Sequence, residues 1–113
     1  MKRIYVLFCL SIFICSCSLP GSKTTEIKVD HLGKNQKILI DVALKEGQYV
    51  HKKKICVTGF SDSPILINYR YKLENEIDTC FVSDWYSTSD SLIIESTNVK
   101  AAGKLSIIHE FYY

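Results

Sequence analysis

From Ile65 to Leu73 the chain changes character at nearly every step. Ile65, Ile67, Tyr69, Tyr71 and Leu73 alternate with Leu66, Asn68, Arg70 and Lys72. A period of two places one set on one face of a β-strand. Pro64 stands just before it, where a strand can begin. The pattern recurs along the chain. Ile38, Ile40 and Val42 alternate, as do Ile55 and Val57. Phe81 and Trp85 share one face, and Cys80 and Val82 the other. SLIIES is short and apolar, and Leu105, Ile107, His109 and Phe111 alternate near the end. Between these runs lie turn-rich segments: LGKNQ, KEGQ, GFSDSP, LENE, STSDS and NVKAAGK. Six or seven strands spaced about 8–12 residues apart predict an all-β fold, a small antiparallel β-sandwich. It is immunoglobulin-like only in a loose sense. Within it, residues 54–86 are expected to form a three-strand meander, with LENE as a tight hairpin.

The first residues follow another rule. Met1-Lys2-Arg3 precede an almost wholly apolar run from Ile4 to Ile14. That run falls short of the ~20 residues a membrane-spanning helix needs and matches a signal peptide. Its end, Ile14-Cys15-Ser16-Cys17, resembles a bacterial lipobox: an aliphatic residue, then a small residue directly before an obligatory cysteine. Cys17 is then the lipidation site, its thiol taking a diacylglyceryl group. The competing reading is an ordinary secretory signal with incidental cysteines. The expected organisation is a signal peptide over 1–16, a lipidated Cys17 and polar tether over 17–30, and the β-sandwich domain over 31–113. Ser18, where an Asp would retain such a protein in the inner membrane, points to the outer membrane, facing the periplasm.

Processing changes the charge. The 14 Lys and Arg exceed the 12 Asp and Glu by two, and Lys2 and Arg3 leave with the signal. The mature chain is then neutral overall, which gives no case for nucleic-acid binding. Of the five cysteines, two leave with the signal and one carries lipid. Cys56 and Cys80 remain and are expected to pair in an oxidising compartment. The spacing leaves open whether the bond joins two sheets or clamps one.

Candidate chemistry is sparse. The sequence has no nucleophile elbow, phosphate-binding loop or His-Glu-x-x-His motif. No catalytic residue, metal or cofactor is expected, and no small-molecule substrate. His109 lies on the apolar face of the last strand and is expected to be partly buried. Lys52-Lys53-Lys54 is read first as a solvated strand edge that blocks aggregation, and second as a docking patch. Asp84-Trp85-Tyr86 ends a strand. Trp85 is read first as a core residue, through the face it shares with Phe81. Exposed, the three residues would anchor a protein partner.

Lys54-Ile55-Cys56-Val57, Tyr69-Arg70-Tyr71 and Cys80, behind a lipobox and a short tether, resemble the periplasmic lipoproteins of the type VI secretion immunity class. The resemblance implies a protein that is not an enzyme and that binds and neutralises a toxic effector, held to the membrane by its lipid. The alternative is a structural or accessory envelope lipoprotein that binds another envelope or secretion component.

Overall fold

The computed structural model describes residues 21–113. The expected signal peptide and Cys17 lie outside the described residues. Six strands make up the fold: β1 (Ser22–Val29), β2 (Gln36–Asp41), β3 (Lys52–Ile67), β4 (Tyr71–Asp84), β5 (Ser89–Ser96) and β6 (Gly103–Tyr112). All pairings are antiparallel, in the order β1-β6-β3-β5-β2, with β4 along the other side of β3. The expected small antiparallel β-sandwich is the fold observed.

The key element is β3. Its first ten residues, Lys52–Ser61, pair with β6, and its last three, Ile65–Ile67, pair with β5. One strand thus serves both sheets. It changes sheet at an irregularity between Ser61 and Ile65, as strands do at sandwich corners. Hydrogen bonds to Asp62 pin the corner: its N–H donates to the Ala102 carbonyl at 3.0 Å, and its carboxylate Oδ1 accepts the Ala102 N–H at 2.8 Å. On the partner strand Asn75 takes a left-handed φ of 64°. The hairpin therefore folds over on itself. Tyr71 and Phe81, ten residues apart on β4, stack with ring centroids 3.7 Å apart. A straight strand would hold them roughly 33 Å apart.

The inward positions repeat the sequence pattern. Ile55, Val57, Ile65, Ile67, Leu92, Ile94, Leu105, Ile107 and Phe111 are all buried. Gly59, with φ +136°, lets β3 and β6 come together, because a Cβ there would collide with the Lys104 carbonyl. Cys56 and Cys80 are direct partners across β3 and β4 and form a disulfide, with Cα atoms 4.0 Å apart. It lies on the outer face and clamps one sheet.

Four expectations are corrected. The segment read as a tether contains β1, which pairs with β6 from Ser22↔Tyr112 to Val29↔Leu105. Its Ile27 and Val29 pack on the core. The segment's polar composition reflects a strand with one wet face. The three-strand meander expected over 54–86 is a two-strand hairpin of β3 and β4, and LENE is not its turn but part of the body of β4. The turn is Asn68-Tyr69-Arg70, inside the run read as one strand. Ile67 pairs with Tyr71 and Ile65 with Leu73. Paired residues face the same side, and these offsets are even, so the alternation runs unbroken through the turn. GFSDSP, read as a turn, is the corner of β3.

Candidate functional site

Three inward positions carry ionisable side chains. Extending the Ile55–Val57 phase back by two residues reaches Lys53. The Leu92–Ile94 phase reaches Asp90, and the Leu105–Ile107 phase reaches His109. Each phase thus carries one polar residue, at the end of the apolar face on β3 and β5 and just before buried Phe111 on β6, and the fold brings the three together. Lys53 Nζ lies 2.9 Å from Asp90 Oδ2, and His109 Nε2 lies 2.8 Å from the same oxygen. Asp90 Oδ1 accepts the Ser91 N–H at 2.9 Å. The His109 side chain is fully buried, and those of Asp90 and Lys53 are 3% and 11% exposed.

Burial alone would raise the Asp90 carboxyl pKa. Hydrogen bonds from His109 and Lys53, with the Lys53 charge, outweigh it and hold the group below its ordinary value. His109 Nδ1 is buried and has no partner among the described residues. In a neutral ring the proton therefore belongs on Nε2, which faces the carboxylate. The His109 ring also meets Phe111 edge-on at 4.5 Å. The network ties β3 and β6 to β5, one sheet to the other.

Above this network opens a groove of about 650 Å³. The folded-over β3–β4 hairpin makes one wall, with Tyr71 and Phe81 stacked upon each other. Trp85 makes another. Its Nε1–H donates to the Ser89 carbonyl at 3.0 Å, and Lys53 Nζ sits 3.6 Å from its ring centroid. Arg70 lies at the rim, 5.3 Å from the Tyr71 ring.

The expected site residues fall in two places. Asp84, Trp85 and Lys53 line the groove, while Tyr86 stands beside it, 76% exposed. Trp85 is half-buried: it packs against the core and still faces the groove. Lys52 and Lys54 face outward on the opposite side of β3, and Lys52 Nζ lies 4.6 Å from the Tyr112 ring centroid. The edge reading of the lysine run is corrected, because Lys52–Lys54 pair with β4 on one side and β6 on the other. That strand is central. Asp90, and Asn68 to Tyr71 as a groove wall, were missed. A polar residue on an apolar phase was the signal for Asp90. For the turn there was none, because its pattern looks like a continuing strand.

The site therefore belongs to a small β-sandwich with a polar network buried beneath an aromatic-walled groove. No protein-family model and no curated protein matches the chain. Among solved structures it is similar to the crystal structure of Yersinia pseudotuberculosis-derived mitogen (YPM), at 14% identity and a TM-score of 0.39, over 80% of this chain and 86% of that one.

Proposed function

We propose that the protein is a lipid-anchored envelope protein of the bacterial periplasm that binds and neutralises a toxic secreted effector. The observation that carries this reading is the Asp84-Trp85-Tyr86 segment. Trp85 is fixed by a hydrogen bond and by Lys53, while Tyr86 beside it is 76% exposed and Asp84 is exposed. A held aromatic next to a free one suits a protein interface, because little side-chain freedom remains to be lost on association. The N-terminal pattern ending at Cys17 supports the membrane attachment, and Lys54-Ile55-Cys56-Val57 with Tyr69-Arg70-Tyr71 supports the immunity class.

Co-expression with a toxin encoded beside the gene tests the binding. Protection of cells and co-purification are expected, both weakened by Tyr86→Ala. Failure of both for the native protein would remove the immunity reading and leave an envelope accessory role. Fatty-acid labelling tests the anchor, and label retained by Cys17→Ala would overturn it.

A further inference from the structure

The groove is more than a rim for a protein partner. Its charged lining residues are Lys53, Arg70, Asp84 and Asp90, two cations and two carboxylates. Lys53 and Asp90 already neutralise each other. The field at the floor is thus balanced, and a strongly charged occupant finds no uncompensated partner there. Beside the aliphatic Leu39, Ile55 and Ile93 and the amide of Asn68, the rest of the lining is of two kinds. Tyr69, Tyr71, Phe81 and Trp85 supply flat apolar rings, and Ser83, Ser87, Ser89 and Ser91 supply hydroxyls. A ligand that matches both is rich in hydroxyls and apolar on one face, and the even balance of cations and carboxylates in the lining favours one that is uncharged. A pyranose ring meets all three conditions: its C–H face lies on aromatic rings and its hydroxyls reach serine, amide and guanidinium groups.

Two further features mark a built site. The floor carboxylate of Asp90 is 3% exposed and held by three hydrogen bonds. The turn at the rim is held in a costly shape. Asn68 and Tyr69 have φ of 53° and 60°, a region bulky residues rarely enter. Asn68 secures it by accepting the Ile93 N–H on Oδ1 at 2.8 Å while its own N–H donates to the Ile93 carbonyl at 2.8 Å. The result presents the Tyr69 ring, 67% exposed, at the groove mouth. Strain of this kind persists where the surroundings over-determine it, and it clusters at functional sites.

We infer that the groove binds a short, uncharged oligosaccharide, stacked on the Tyr69, Tyr71 and Trp85 walls and hydrogen-bonded by Arg70 and the serine rim. The volume falls within the ~300–1,000 Å³ range of small-ligand sites. The proposal stands apart from effector binding, which is read in cells, whereas this one is read on the purified chain.

Trp85 is the sole tryptophan, so tryptophan emission, excited selectively over the seven tyrosines, reports on the groove. The full chain, in a detergent without a sugar headgroup, is titrated with chitotriose, cellotriose and maltotriose. At least one should give a saturable change at millimolar concentration or below. Tyr69→Ala and Arg70→Ala, both at exposed positions, should each weaken it by about tenfold. Tyr49→Ala, at a 72% exposed position away from the groove, should leave it unchanged. No saturable change with any of the three sugars would overturn the proposal. So would unaltered binding by both groove variants, or tighter binding of a trisaccharide made of uronic acids.

Discussion

Replacing Asp90 by Asn keeps the shape of the side chain and removes its charge. Lys53 is then left 11% exposed without the carboxylate it pairs with, and His109 loses a charged acceptor. Breaking a buried ion pair from one side costs about 3–5 kcal/mol, because the remaining charge stays desolvated. The lysine stem is long enough to swing its ammonium toward the groove mouth, which places the cost near the lower end, about 3 kcal/mol. A fold the size of residues 21–113 is stable by about 5–14 kcal/mol, so a large share of the stability is at stake. Urea unfolding followed by Trp85 emission measures it. With a slope of about 1 kcal/mol/M, the midpoint should fall by roughly 3 M. Adding Lys53→Met to Asp90→Asn removes the stranded charge. The double variant should be less destabilised than the sum of the two single variants, by about 1–3 kcal/mol. A loss under ~1 kcal/mol for Asp90→Asn, or strict additivity, would refute the reasoning.

The pH dependence has a defined sign. The Asp90 carboxyl is depressed from 3.8 in the folded state, so its stabilisation is complete above that value and fades as pH falls through the lower folded one. Acid-side urea midpoints should therefore converge for the native chain and Asp90→Asn. The disulfide closes a loop between residues 24 apart in sequence, worth about 3.5 kcal/mol in the chain-entropy model. A Cys56→Ser/Cys80→Ser double variant should lose a comparable amount in the same urea assay. Gly59→Ala forces a Cβ against the Lys104 carbonyl at φ +136°. It should cost roughly 1–3 kcal/mol, visible as a lower thermal midpoint.

Most of the strand content was legible because β2, β3, β5 and β6 keep one apolar face over most of their length. Leu105, Ile107, His109 and Phe111 illustrate it: all four are buried, His109 more completely than its expected partial burial. What alternation cannot report is where a strand turns without changing parity. The Asn68–Arg70 turn was hidden for that reason, and with it the hairpin fold-over that shapes the groove. Strand β1 was hidden by composition. Its inward Ile27 and Val29 are too few to stand out among Ser, Lys, Thr and Glu, and only pairing with β6 makes the strand. The Lys53–Asp90–His109 network lies between these cases. Each member was visible as a polar residue on an apolar phase. Their meeting depends on β3 crossing from one sheet to the other, a long-range outcome that no local window contains.

Gly21 and Tyr113 exchange backbone hydrogen bonds, at 2.7 and 2.9 Å, so the two ends of the described fold are neighbours. In circular terms the sheet is uninterrupted. A short linker from 113 to 21, with new ends opened in the exposed Lys45–Gln48 turn, would leave every ladder intact. Mechanically the same clasp is the weak seam. A pull on the chain at Gly21 loads the Gly21–Tyr113 rung first, then Ser22–Tyr112, one rung at a time. Strand β1 would peel away while the ionic bolt between β3, β5 and β6 still held. Force applied across the Cys56–Cys80 clamp would meet a covalent bond instead. The molecule is therefore built to yield at its seam before its groove is disturbed.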